Sequence, residues 1–293
     1  MTFAIAAVLP DDDGRIVMFA DTKLTVSGDA TRTRHVYTHP CLKTVIVDED
    51  IAVSFSGHNP ESALRFVTRL RGRSAAEVVE ALRQYSADHA VSEVSKSFLI
   101  AKRAPDPKLW RIVAGTVDDN SNLPRLWVGD RTAFAAFQAQ YHATEVDRST
   151  EFRMFVSMQA IVAFDDFATV GGYITRVTGD ALRPFRFQAD QAGMGPWMTE
   201  GVISECDGRR TLALGVPAGF DPSSHQKIAV PGGDDTFAAL AFVIPEVNAA
   251  WMWTHEQPWR SPVKLSGLRS MGELVRTAKQ HHGQQLSPAW PDG

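Results

Sequence analysis

The sequence predicts an α+β fold in which strand-rich segments frame two separate pairs of helices. Three observations carry this prediction. Short apolar, β-branched runs separated by acidic or Gly/Pro breaks read as hairpins. Two stretches with Asn and Ser start signals and a 3.6-residue apolar period follow them as helices. The order then repeats, with strands, two further helices, and strand character again from about residue 168.

The first hairpin runs from Thr2 to Leu9 and back from Arg15 to Phe19, around the acidic turn Pro10-Asp11-Asp12-Asp13-Gly14. Its outgoing strand delivers Ala20-Asp21-Thr22-Lys23, a sharp polar break after an apolar run. Gly28 to Pro40, rich in Thr, Arg and His, reads as an irregular excursion with a short strand near His35 to Thr38. Leu42 to Val47 and Ile51 to Phe55 form a second hairpin about Asp48-Glu49-Asp50. Asn59-Pro60-Glu61 starts a helix that carries Ala63, Leu64, Val67 and Leu70 to Gly72. The capping box Ser74-x-x-Glu77 starts the next, with Val78, Val79, Leu82 and Tyr85 on one face. Strands are expected at Ser97 to Ala101, Leu109 to Ala114 and Leu126 to Gly129, and helices at Ala133 to Gln140 and Glu151 to Ala163. Ala168 to Val177 and Pro184 to Gln188 resume strand character. Gln191 to Pro196 reads as a loop, Phe237 to Ile244 and Val247 to Trp253 as a hairpin around Pro245, and Ser270 to His281 as a last helix.

Composition narrows the function classes. Of 293 residues, 44% are hydrophobic and 22% charged, which suits a globular chain with a sizeable core. A net charge of -4 gives no general electrostatic reason to bind nucleic acid or an anionic membrane. The longest near-continuous apolar run, Phe237 to Ile244, is far too short to span a bilayer, and the start lacks a signal-peptide pattern. Cys41 and Cys206 are too few for a disulfide framework, so a reducing, cytoplasmic setting is expected. His35, His39 and Cys41 lie close together and His281 and His282 are adjacent, yet neither group has a zinc spacing; no metal or other cofactor is expected. Without a phosphate-binding Gly loop, any ATP dependence is expected to come from a partner.

Met1 is followed by Thr2, a small residue of the kind that permits methionine removal. A freed Thr2 carries a hydroxyl nucleophile and an amine base on one residue. Around it stand Ala20-Asp21-Thr22-Lys23-Leu24-Thr25, then Lys43 in Leu42-Lys43-Thr44-Val45-Ile46, then Gly57 in Ser54-Phe55-Ser56-Gly57. In these landmarks, and in their order, residues 2 to 57 resemble the proteasome β-subunit family and its simpler bacterial ring-protease relatives. Each is ordinary alone: a Met-Thr start is common, Asp21 also reads as a strand-end turn residue, and Ser56-Gly57 as a routine turn.

The resemblance implies a four-layer αββα sandwich over residues 1–190, an N-terminal-nucleophile (Ntn) hydrolase domain, followed by a C-terminal extension, 191–293, of unassigned role. It implies Thr2 as nucleophile, Lys43 as the cation that eases alkoxide formation, Asp21 as the partner of Lys43, and Gly57 as a backbone donor to the oxyanion. Lys23 and Thr25 correspond to positions flanking the substrate. The segment between Asp21 and Lys43 is longer than the family needs, so it is expected to line the site and shape substrate choice. The family's closing loop, D-x-x-S-G, is matched by Asp166-Phe167-Ala168-Thr169 ahead of Val170-Gly171-Gly172, with Thr for Ser and one extra residue before the glycines. Gly129-Asp130-Arg131 stands where the family has a serine near the start of its third helix.

The expected function is therefore a threonine peptidase cleaving amide bonds in a ring-like homo-oligomer, served by an unfoldase ATPase if it uses ATP. Two alternatives stay open: a catalytically inactive scaffold or binding protein with Met1 retained, and an Ntn amidase acting on a small amide.

Overall fold

The computed structural model describes residues 2–9, 14–23, 40–90, 96–119, 124–144, 146–163, 167, 169–188, 191–192, 200–206, 209–215, 226–230, 240–244, 248–254, 260–268 and 270–288. The fold is α+β, with five helices and several antiparallel sheets among the described residues.

The first hairpin pairs β1 (Phe3–Leu9) with β2 (Arg15–Asp21), placing Ala4 opposite Ala20 and Leu9 opposite Arg15. The second pairs β3 (Thr44–Asp48) with β4 (Ile51–Ser56). Next come α1 (Pro60–Thr68) and α2 (Ala75–Asp88), then β5 (Ser97–Lys102), β6 (Lys108–Val113), β7 (Thr116–Asp118) and β8 (Arg125–Gly129). Helices α3 (Arg131–Ala143) and α4 (Thr150–Ala163) precede β9 (Ile174–Gly179) and β10 (Arg186–Phe187). Strand order is β10-β9-β2-β1-β8 in one sheet and β3-β4-β5-β6-β7 in the other.

Strand alternation explains how these elements pack. Along β1, Ala4 and Ala6 point to one face and meet Ile46, Ala52, Leu99 and Ala101 of the second sheet. Phe3 and Ile5 point to the other face, against Phe137 of α3 and Met154 and Met158 of α4. At the start of β1, small side chains thus face the second sheet and large ones face the helices. The Phe3 and Phe137 rings lie 5.6 Å apart, and burying such a side chain contributes roughly 1.5–3 kcal/mol. On the far side of the second sheet, Val53, Phe55 and Phe98 pack against Leu64 and Val67 of α1 and Val78 and Leu82 of α2.

The helix starts follow their local chemistry. Asn59 takes a left-handed φ of 54° and its side chain accepts from Ser62 N–H, with Pro60 in the first turn of α1. The Ser74–Glu77 capping box is complete, and Ser74 N–H donates to Glu77 Oε2 at 2.9 Å.

Two expectations are corrected, and one strand is present that the sequence does not announce. The strand expected over Ala168 to Val177 begins only at Ile174, because the backbone of 171–173 bonds to the end of β2 instead of to a ladder. The strand β7 is too short and polar to give a period, and exists by pairing with β6. Gln191 and Ala192, read as the start of a loop, form the short strand β11. The short strand expected near His35 to Thr38 lies outside the described residues.

The C-terminal region continues with β12 (Glu200–Cys206), β13 (Arg209–Gly215), β14 (Gln226–Val230), β15 (Leu240–Ile244), β16 (Ala249–Trp253), β17 (Val263–Ser266), α5 (Met271–His282) and β18 (Ser287–Pro288). β12 and β13 pair with each other; β11-β14-β15-β16-β17 form a sheet with β18 joined to β14. Leu240, Phe242, Ala249, Trp251 and Trp253 enter the same core cluster as Phe3, Phe19 and α4. Ala241, Ala250 and Met252 face the other way, onto Leu274 and Ala278 of α5. Trp259 and Trp290 lie outside the described residues. Among the described residues no helix is long and apolar enough to cross a membrane.

Candidate active site

The hairpin register brings the start of β1 beside the end of β2. Phe3 N–H donates to Asp21 Oδ1 at 3.0 Å. Oδ2 of the same carboxylate accepts from Lys43 Nζ at 3.0 Å, Lys23 N–H at 3.1 Å and Gly171 N–H at 3.2 Å. Asp21 is fully buried, and Lys43 is 1% exposed. A buried carboxylate is tolerated when donors fill its lone pairs, and a buried ammonium when a counter-charge lies against it. Both conditions hold here. The ammonium also donates to the Lys23 carbonyl. Lys43 directly precedes β3, and its own carbonyl accepts from Phe55 N–H at 3.0 Å, which fixes its backbone to β4.

Thr2 is 3% exposed. Its carbonyl accepts from Asp130 N–H at 2.8 Å and from Ser56 Oγ at 3.4 Å. Gly129, paired with Phe3, approaches so closely that a Cβ there would fall 1.7 Å from the Thr2 oxygen, and its φ of 112° suits only glycine. Asp130 then does three things with one residue. Its N–H holds Thr2, its Oδ1 caps α3 by accepting from Thr132 and Ala133 N–H, and its Oδ2 accepts from Thr169 Oγ1.

The loop 170–173 grips the end of β2 from the other side. Gly171 carbonyl accepts from Thr22 N–H at 3.2 Å and Lys23 N–H at 2.9 Å, while Tyr173 N–H donates to Thr22 Oγ1 at 2.7 Å. Gly172, with φ 81°, lets the backbones approach, since a Cβ would meet Thr22 Oγ1 at 2.7 Å. The Lys23 side chain points back to the Phe167 carbonyl at 3.2 Å.

Gly57 sits in the bend after β4 at φ 126°, adjacent to the Ser56 that reaches Thr2. Cys41 is buried nearby, and its N–H donates to the Thr22 carbonyl at 2.9 Å. Burial pushes its thiol up to about 11, with Lys43 opposing and Glu61 and Asp21 adding to the shift. It is a neutral packing group and not a nucleophile.

Of the residues singled out in sequence, Lys23 and Lys43 converge on the Asp21 carboxylate, which also holds the N–H of Phe3 next to Thr2, while Thr169 meets Asp130, whose N–H holds the Thr2 carbonyl. Asp166 and Thr25 lie outside the described residues, as do Met1, His35 and His39. Sequence reasoning missed Ser56, Gly171 and Asp130 as contributors. Asp130 carried a legible signal as an Asp cap before an apolar helix, but not its tie to Thr2. Among the described residues no group of three His, Cys, Asp or Glu side chains could hold a metal ion. Chemically, the arrangement offers a fixed cation and the peptide N–H after Thr2 on the two oxygens of one carboxylate. No protein-family model matches the chain, and neither does any curated protein.

Proposed function

We propose that the chain is a threonine-type N-terminal-nucleophile hydrolase, cleaving peptide amide bonds once Met1 is removed. The observation that carries this reading is the Asp21 carboxylate, which ties the backbone next to Thr2 to the buried ammonium of Lys43. On this reading the two five-stranded sheets, with α1 and α2 outside one and α3 and α4 outside the other, form the four-layer αββα sandwich of the proteasome β-subunit family. Ring-like homo-oligomers, peptide substrates, a partner unfoldase ATPase and a cytoplasmic setting belong to the same proposal.

In the proposed reaction the Thr2 hydroxyl attacks the amide carbonyl while its proton passes to the α-amine, directly or through water. An α-amine titrates at about 7.7–8.0 when unperturbed, so a neutral fraction exists near pH 7. Lys43 stabilises the developing alkoxide, and Asp21 keeps that cation in place. Gly57 N–H faces the oxyanion, a donor whose removal in other enzymes costs about 10²–10³ in rate. The amine then protonates the leaving nitrogen, an ester remains on Thr2, and water releases it. Asp130 stands at the family's serine position and holds the Thr2 carbonyl, not the amine that the family's serine supports.

The competing reading is a silent scaffold or binding protein that keeps Met1, and the burial of Thr2 is the observation on its side. Intact mass separates them at once, because a retained Met1 blocks the amine. If Met1 is gone, an epoxyketone or β-lactone probe should label the protein and Thr2→Ala should abolish labelling. A processed protein that no such probe modifies would defeat the enzyme reading.

A further inference from the structure

Among the described residues, the C-terminal sheet meets the loop beside the candidate site in an aromatic stack. Tyr173 ends the loop that holds β2, and its ring stacks on Phe242 of β15 with centroids 4.6 Å apart and planes 22° from parallel. Phe242 is in turn braced edge-on by Trp253 of β16 at 5.3 Å. All three side chains are buried, in the same cluster as Val170 and Phe19. From Tyr173 the path to the charged pair is short. Tyr173 N–H bonds Thr22 Oγ1, Gly171 carbonyl holds the Thr22 and Lys23 amides, and Gly171 N–H sits on Asp21 Oδ2.

Four hydrogen bonds to residues 21–23 hold the loop backbone on one side. It contains two glycines at φ 152° and 81°, so its own conformational entropy opposes order. On its other side the Tyr173 ring rests on Phe242 of β15, itself braced by Trp253 of β16, and this contact limits the loop's freedom further.

We infer that Phe242 is a positioning residue for the Asp21–Lys43 pair, so that the C-terminal sheet is a working part of the site and not an appendage. This rests on the proposed Thr2 chemistry only for its effect on rate. Its structural content, the dependence of the loop on Phe242, is independent of that chemistry.

The test uses the full chain with three variants: Phe242→Ala, Phe242→Leu, which keeps apolar bulk without a ring, and Met252→Ala. Met252 is equally buried but faces α5, so it controls for general weakening of the sheet. Amide exchange is read over peptides spanning 21–23 and 169–174, and β-lactone labelling of Thr2 is read against pH. Both Phe242 variants should lose exchange protection in those peptides while β5 and β6 keep theirs. Their labelling should slow by at least about tenfold and its pH midpoint should move, since a displacement of order 1 Å in a catalytic group can cost about 10²-fold. Met252→Ala should do neither. If wild type resists the probe while the Phe242 variants still lose protection, the buttress stands and the Thr2 chemistry falls. If exchange and labelling in Phe242→Leu match wild type, or Met252→Ala reproduces the same local changes, the inference is overturned.

Discussion

Two lysines are nearly as buried as each other, and their surroundings differ in kind. Lys43, 1% exposed, rests on the Asp21 carboxylate and a carbonyl. Lys96, 6% exposed, donates to Ser62 Oγ at 2.7 Å and Tyr85 OH at 2.8 Å, and has no carboxylate partner among the described residues. A hydroxyl can rotate to accept from an ammonium or donate to an amine, whereas a carboxylate only accepts. The Lys96 site therefore offers two hydroxyl acceptors that can turn, and the Lys43 site offers a fixed negative charge. Depth of burial alone does not tell the two apart. What distinguishes Lys43 is a fixed counter-charge whose other donors come from β1, from the end of β2 and from the 170–173 loop.

The sharpest way to break this contrast is to remove each partner. Asp21→Asn leaves the Lys43 ammonium buried and uncompensated, and urea unfolding should show a loss of about 3–5 kcal/mol. Thr2 labelling should vanish as well. Next in size, Gly129→Ala forces a methyl into the Thr2 carbonyl, and strain of about 1–3 kcal/mol is expected together with a shift of Thr2 that suppresses labelling. Lys96→Met should change stability by only about 1 kcal/mol in either direction, because two hydrogen bonds are lost and a buried charge is removed. It should label as wild type does, in contrast to Lys43→Met, which should not label at all. Equal losses from Asp21→Asn and Lys96→Met would dissolve the distinction.

The smallest effect concerns Cys41, whose thiol is raised from 9.0 to about 11. The folded state holds this proton more tightly than the unfolded chain does. The associated stability is thus complete below pH 9 and is lost as pH climbs towards 11. Alkylation by iodoacetamide at pH 8, mapped by mass spectrometry, should be far slower at Cys41 in the folded protein than in urea. Comparable rates would mean that the thiol beside Lys43 is more open than its burial states.

Local chemistry was legible in sequence, and long-range chemistry was not. The Ser74–Glu77 box, the Asn59 cap and the hairpin of β1 and β2 depend on neighbours a few residues away, and all three formed as expected. The pairing of Asp21 with Lys43 was expected from the resemblance, and the ion pair is present. Asp130 escaped notice because its contact with Thr2 joins residues far apart in sequence that only the pairing of β1 with β8 makes adjacent. The loop at 170–173 misread as strand because it runs straight into the β-branched and apolar residues of Ile174–Val177, while the two glycines take conformations that leave the ladder. Strands β12 to β14 went unread among scattered glycines and prolines, where no two-residue period stood out.

The position of β1 between β2 and β8 has a cost during synthesis. Phe3 waits for Gly129 before its outer edge is satisfied, which at roughly 5–20 residues per second means about 6–25 s on the ribosome. Throughout that interval an apolar ribbon presents open hydrogen-bonding groups to every other nascent chain nearby. Yield should therefore respond to translation speed and chaperone supply more than to the final stability of the folded protein.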